Sequence, residues 1–299
     1  MPELWLVCEG GSDLEVLRPV FTRVLAVEVS LRAAGGQGGL GAVAAFLARE
    51  EGSLVAYIED RDYRPAKVAE AAFSDGRRRF LWRRHCIESY LVQPEVVASG
   101  LERLRADLLG GLSPAPAWDA PTVGALRALL RDIAELMAPH EAMELAIWSL
   151  RAELSDSPGR VQLRSPAPSG DYPSEAECLQ ALLEESARFA ASGSTTAQSP
   201  LLVPQAVEGR FADTIGRIRQ AEYLAEGTFL GEFHGKRLLR SLREALRDSL
   251  GIGIPPKVLR EELEAAVVRE YSTNRAIFGT DDFGDLAAGI RQLPAPNYQ

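Results

Sequence analysis

The stretch Ser53-Leu54-Val55-Ala56-Tyr57-Ile58-Glu59-Asp60-Arg61-Asp62 decides how the chain folds. Leu54 to Ile58 is a continuous apolar run bounded by polar residues, the pattern of a strand covered on both faces of a parallel sheet. Its carboxyl end carries Glu59, Asp60, Arg61 and Asp62. In an extended chain residues two apart point the same way, so Asp60 and Asp62 are expected on one side, with Glu59 and Arg61 opposite. Open α/β sheets bind their ligands beyond the carboxyl ends of the strands. Two carboxylates converging there repel unless a proton or a cation intervenes, and all-oxygen ligands suit a hard divalent ion such as Mg²⁺. Without that chemistry the same acids are a polar exit from strand to loop.

A second apolar run, Leu4 to Cys8, also ends in an acid, Glu9, followed by Gly10, Gly11, Ser12 and Asp13. Two strands thus bring carboxylates to one edge. The glycines permit positive φ and leave room for a ligand close to the backbone. Ser12 with Glu15 fits a capping box, so Asp13 is expected to open a helix whose positive dipole end faces the same edge. Pro19 interrupts that helix, since an interior proline costs roughly 3 kcal/mol; the expectation is a kink, or a second helix with Pro19 in its first turn.

These residues carry a resemblance. VCEGGSDLEVLRPVF at 7–21, followed by IEDRD at 58–62, resembles the topoisomerase/primase (TOPRIM) domain, whose pattern is Glu-Gly after the first strand and Asp-x-Asp after a later one. RRHCIESYLVQP at 83–94 is similar to a segment of TOPRIM nucleases related to the overcoming-lysogenization-defect (OLD) family and of smaller stand-alone relatives in bacterial defence. Ser89 stands where those relatives often have Asn. The likeness covers residues 3–95, and one late motif, Phe233-His234-Gly235-Lys236-Arg237-Leu238-Leu239, resembles the Gly-Lys-x-Leu-Leu of the same nucleases.

The resemblance implies an α/β fold: a Rossmann-like, mostly parallel TOPRIM sheet flanked by helices, then a largely helical C-terminal part. It implies a metal-dependent endonuclease in which Glu9, Asp60 and Asp62, aided by Asp13 and Glu88, hold one or two Mg²⁺ or Mn²⁺ ions. Lys236 would return to the acidic site as a fixed cation for charge developing on the phosphorane or leaving group. In a two-metal arrangement, ions about 4 Å apart activate water and stabilise the leaving oxygen. OLD-like nucleases commonly carry an ATPase on the same chain. This sequence has no Walker A motif, so a separate ATPase partner, as in stand-alone anti-phage effectors, is the expectation. Glu88 can equally be read as the cap of its own short helix, and Lys236 as an exposed first-turn lysine.

With 299 residues, 46% hydrophobic and 25% charged, the chain has the composition of one or two globular domains. No apolar run approaches the roughly 20 residues that span a bilayer, and the N-terminus opens directly on a strand pattern without a signal-peptide layout. A cytoplasmic, non-membrane protein is expected. Cys8, Cys86 and Cys178 are widely spaced in apolar surroundings, with no CxxC pair, and read as buried reduced thiols.

The net charge of −9 argues against polyanion binding by the whole surface. Residues 1–110 hold 14 Lys+Arg against 16 Asp+Glu, and the remainder 19 against 26. Arg77, Arg78, Arg79, Arg83 and Arg84 cluster around Phe80, Leu81 and Trp82, a candidate phosphate-contacting strip beside the acids. Such a cluster also serves as the solvated rim of an edge strand. His85 is a candidate phosphate contact or proton carrier, against the ordinary structural role of a lone histidine.

Along the rest of the chain, Val27–Arg32 predicts a second strand. Gly35 to Gly41, GGQGGLG, is neither a P-loop nor a dinucleotide fingerprint in position, and reads as a flexible connection near the substrate edge. Ala42–Glu51 predicts a helix, Tyr63–Asp75 a loop and helix, and Arg79–Trp82 a fourth strand. This alternation indicates βαβ units. Beyond residue 100 the period turns helical: Thr122–Met137 with Pro139 limiting its end, Ser174 and Glu177 capping a helix to Ala191, and Leu238, Leu239, Leu242, Leu246 and Leu250 lining one ending at Gly251. Leu112–Pro121, Ser155–Pro173 and Ala191–Pro204 read as linkers. Asp281 and Asp282 read as loop acids.

The domain expectation is therefore a catalytic part at 1–110 and a helical part at 111–299, of which 230–250 returns to the active site. Nucleic acid, DNA or RNA, is the expected partner, and a homo-oligomer is open. A non-catalytic TOPRIM-fold regulatory or scaffold subunit is the competing reading, and intact Glu9, Asp60 and Asp62 argue against it. Nucleotidyl transfer ranks lowest, for want of a zinc-binding cysteine set.

Overall fold

The chain is seen in a computed structural model that describes residues 4–50, 53–74, 78–111, 118–155, 161–168, 170–192 and 199–293. The four expected strands form: β1 (Leu4–Cys8), β2 (Ser30–Ala33), β3 (Leu54–Glu59) and β4 (Arg79–Leu81). They pair in the order β2-β1-β3-β4, all parallel. Leu4 pairs with Leu54 and Cys8 with Ile58, so the pairing of β1 with β3 runs to one residue before Glu9 and Glu59. The connection out of β1 goes to one side and that out of β2 crosses to the other. This makes the β1/β3 crevice the switch point where an open α/β sheet takes its ligand.

Helices α1 (Gly11–Pro19) and α2 (Gln37–Glu50) make the two crossovers. Right-handed connections of opposite direction place them on opposite faces of the sheet. α2 covers one face through Val7, Leu40, Ala44, Leu47 and Val55. It starts at Gln37, so most of the glycine-rich stretch read as a flexible loop is the first turns of a helix. α1 starts at Gly11 rather than Asp13. Its cap is the Asp13 carboxylate reaching back to the Gly10 N–H at 2.9 Å, in place of a Ser12 box. After Pro19 the chain continues as a π-helical turn, Val20–Leu25, whose wider repeat admits the proline without a break.

Five further helices follow: α3 (Ala66–Ser74), α4 (Glu88–Leu91), α5 (Pro94–Gly111), α6 (Val123–Leu154) and α7 (Glu175–Ala190). α6 passes through Pro139 instead of ending there. The proline costs roughly 3 kcal/mol, and burial of Ile133, Ala134, Met137, Ala138, Ala142, Met143, Ala146 and Ile147 along the helix offsets it. The Ser174 box forms as expected, with Ser174 Oγ accepting from the Glu177 N–H at 3.3 Å. Then come α8 (Pro204–Ile218), α9 (Ala221–Ala225), α10 (Phe229–Glu232), α11 (Gly235–Leu250), α12 (Pro256–Thr273) and α13 (Asp282–Arg291). Of the three expected linkers, 112–117, 156–160, 169 and 193–198 lie outside the described residues, and Pro200–Leu202 forms a short 3-10 turn.

Two compact units result, Met1–Leu130 with Leu230–Gln299, and Arg131–Phe229. In the first, the C-terminal helices return to the sheet: α12 packs on α5 and α1, α11 on α4, and α13 on α3 and the π turn. In the second, α7 packs on α8, burying Cys178, Leu182 and Phe189 of the one and Val207, Phe211 and Ile215 of the other. All three cysteines are buried, and none is in a disulfide. Among the described residues no helix is long and apolar enough to cross a membrane.

Candidate active site

Glu9 leaves β1 beside the end of β3. Its Oε1 accepts the Asp60 backbone N–H at 3.0 Å, tying the two strand ends across the crevice. Its carbonyl accepts the Gly36 N–H at 2.8 Å. Gly35 and Gly36 hold φ of +80° and +127°, conformations that a side chain resists, and so bring bare backbone to the cavity wall. Asp13 is buried on α1, with Oδ2 bonded to Gly10 and Oδ1 accepting from Trp82 Nε1 at 3.2 Å. Trp82, read from sequence only as part of an arginine-rich strip, is the residue that aims Asp13.

β3 ends at Glu59, and the alternation expected of Asp60 and Asp62 ends with it. Asp60 faces the cavity. Asp62 sits in a turn at φ +51°, its N–H bonded to the His85 carbonyl and its carboxylate 3.7 Å from Arg64. It lies outside the cavity wall, though its charge reaches Glu9. Glu59 turns the other way, to Arg64 at 3.1 Å and Arg79 at 2.7 Å.

The fourth wall is built from distant sequence. α4 supplies Glu88, 2% exposed, with Oε1 3.3 Å from Arg260 of α12. Glu88 Oε2 is buried, and no described donor meets it with hydrogen-bond geometry. α11 supplies Lys236, whose Nζ is 4.0 Å from Asp60 Oδ2. Gly235 makes that reach available: a Cβ there would lie 2.6 Å from the Ser89 backbone nitrogen and 2.8 Å from Cys86 Sγ, so α11 abuts α4 more closely than any other residue allows. The segment is anchored at Gly231, whose carbonyl accepts from Arg61 at 2.8 Å and from the His85 N–H at 2.7 Å.

Glu9, Asp13, Asp60, Glu88 and Lys236 thus line one cavity of about 220 Å³ at the switch point. Burial and then the charges of Asp13 and Glu9 push the Asp60 carboxyl up to about 9, with Lys236 acting the other way. Glu9 and Asp13 are raised too, chiefly by burial, against the hydrogen bonds they accept. Asp62 is raised by burial and held back by Arg64 and Lys236. Burial works to lower Lys236, but the charges of Glu88 and Asp60 outweigh it and hold the ammonium above its ordinary range. Four carboxyl groups of the cluster face one lysine.

Among the described residues no three His, Cys, Asp or Glu side chains already stand together as a metal-holding group. The chemistry of the donors nevertheless fits a hard cation: all are carboxylate oxygens, and the charges of Asp13 and Glu9 disfavour ionisation of Asp60. Glu9, Asp60 and Glu88 are the residues that would hold an ion, with Asp13 held to the Gly10 turn and Trp82.

The arginine strip is not assembled as a phosphate-contacting surface. Arg79 is engaged by Glu59. Arg83 pairs with Asp282 at 2.9 Å and Asp285 at 2.6 Å. Arg84 is buried, donating to the carbonyls of Ser89 at 2.9 Å and Phe278 at 2.8 Å, over the ring of Tyr90. Arg78 is exposed, and Arg77 lies outside the described residues. His85 is buried between Tyr63 and His234, its ring 4.8 Å from the latter, and burial with the neighbouring positive charges holds its pKa well below the ordinary imidazole range. Asp282, read as a loop acid, is fully buried and accepts from Tyr90 and Arg83. Asp281 caps α13 by accepting the Gly284 N–H at 3.1 Å.

No protein-family model matches the chain, and no curated protein sequence matches it.

Proposed function

We propose that this chain is a divalent-metal-dependent phosphodiester hydrolase acting on nucleic acid, a TOPRIM-type nuclease of the stand-alone defence kind, regulated by a separate ATPase. The observation that carries the chemistry is the meeting of Glu9 and Asp60 at the β1/β3 switch point with Glu88 and Lys236, in a cavity whose carboxyl groups outnumber its one lysine. The motif resemblance at residues 7–21, 58–62, 83–94 and 233–239 supports the family and its biological setting.

A bound Mg²⁺ or Mn²⁺ would supply a polarised water and a positive charge against the phosphoryl oxygens. The protein's own residues do the rest. Glu9 and Asp60 are held in register by the bond between them, and Asp60, its carboxyl pushed up to about 9 chiefly by burial, is poised to lose its proton to a cation. Lys236 stays protonated beside them and offers a fixed positive charge where negative charge grows on the leaving oxygen. Gly35 and Gly36 leave space for a phosphate next to main chain.

The test is cleavage of labelled plasmid DNA and of total tRNA with Mg²⁺ or Mn²⁺, comparing wild type with Glu9→Ala and with Asp60→Ala/Asp62→Ala. Metal-dependent cutting lost in both variants is the expected result. Failure of the wild type to cut either substrate, alone or with its ATPase, would remove the reading.

A further inference from the structure

The acidic cavity opens on a second one. A cleft of about 240 Å³ between α11 and α12 shares Glu88 and Lys236 with it. Its other polar lining is Arg240 and Arg243 of α11 and Arg260 of α12. Lys236, Arg240 and Arg243 follow at i, i+4 and i+7, so they share one face of α11, while Leu238, Leu242 and Leu246 are buried on another. α11 carries five Lys and Arg against two acids in a chain of net charge −9, so the positive charge is concentrated beside the carboxylates. Arg260 ties the two cavities together, since it donates to Glu88 at 3.3 Å and to Glu264 at 2.8 Å.

We infer that this cleft holds the sugar–phosphate backbone flanking the bond to be cut, with Arg240, Arg243 and Arg260 contacting its phosphates. The inference rests on the hydrolase reading and adds the path of the strand to it. A guanidinium matches a phosphate in two-pronged geometry, which suits three arginines to successive backbone oxygens. No described aromatic residue lines the cleft, which suits recognition by charge, tolerant of sequence. This face is brought to the acids by the topology and not by the local sequence.

The experiment is fluorescence anisotropy of a labelled single-stranded oligonucleotide, as DNA and as RNA, in metal-free buffer over a range of salt. It compares wild type with Arg240→Ala/Arg243→Ala, with Arg240→Lys/Arg243→Lys, and with a charge-matched control, Arg103→Ala/Arg127→Ala. Each lost phosphate contact to a single strand flattens the plot of log K against log salt by about 0.7, so the double alanine variant should lose about 1.4 from the slope and bind at least tenfold more weakly. The lysine pair should keep most of the slope, and the control all of it. An unchanged slope in the double alanine variant, while wild type cuts nucleic acid with metal, overturns the cleft and leaves the hydrolase standing. A lost slope with no cutting by wild type supports the cleft and overturns the hydrolase. No binding by wild type overturns the cleft.

Discussion

Replacing Gly235 by alanine perturbs the site without touching any charged group in it. The new Cβ would lie 2.6 Å from the Ser89 nitrogen, where ordinary contact begins near 3.4 Å, so a gap of about 0.8 Å must open. The obstacle is the backbone of α4, hemmed by Ser89 Oγ at 2.7 Å and Cys86 Sγ at 2.8 Å, and it cannot rotate aside. Overpacking of this kind costs about 1–3 kcal/mol, and alanine's better helix propensity returns at most about 1. A net loss of about 1–2 kcal/mol lowers Tm by roughly 2–8 °C. Lys236 moves with its helix, so the gap displaces it from its 4.0 Å approach to Asp60. Misplacing a group near the reacting atoms by about 1 Å can cost up to about a hundredfold in rate. The assays are thermal unfolding by circular dichroism and single-turnover cleavage with Mn²⁺. Gly41→Ala is the control, because nothing lies within 4 Å of its Cβ, and it should be neutral or stabilising. Equal Tm and equal cleavage for Gly235→Ala and wild type would show that α11 does not depend on this contact.

Two other substitutions probe the charge balance and the C-terminal lock. Asp60 is held up to about 9 from an ordinary 3.8, so the folded chain takes up a proton there. Its contribution to stability is full below about pH 4 and is lost as pH rises toward 9. In chelator, the Tm of wild type should therefore fall across this window, Asp60→Asn should flatten the fall, and Mn²⁺ should restore wild type at the alkaline end; a variant with the wild-type pH slope contradicts the assignment. Asp282→Ala should cost about 1–3 kcal/mol by leaving the buried Tyr90 hydroxyl without this acceptor, while Arg83 keeps Asp285. Urea unfolding reads it directly, and a loss below about 1 kcal/mol would mean that α13 is held by its apolar face alone.

The sheet was legible because each strand is a short apolar run and each acid stands at its end: Leu4–Cys8 before Glu9, Leu54–Ile58 before Asp60. Where the reading failed, the deciding partner was far away in sequence or the cost was outweighed. Arg83 and Arg84 look like a free basic strip until Asp282 and the Phe278 carbonyl, nearly two hundred residues on, claim them. Pro139 should end a helix, but the apolar residues on both sides of it stay buried only if the helix continues. The Asp60/Asp62 alternation assumed an extended chain that stops at Glu59. Arg260 and Trp82 gave little local signal: one shows only an i, i+4 pairing with Glu264, and the other only an apolar neighbourhood.

The unit Arg131–Phe229 interrupts the one that holds the site. Asp62 and Lys236 are 174 residues apart in the sequence, so at roughly 5–20 residues per second a ribosome takes about 9–35 s to make the lysine after the last of the sheet-edge acids. During that interval the nascent sheet exposes Glu9 and Asp60 without Lys236, α11 or the arginine cleft. The cavity that Glu9, Asp60 and Lys236 share thus becomes complete only after the whole of the unit Arg131–Phe229 has been made.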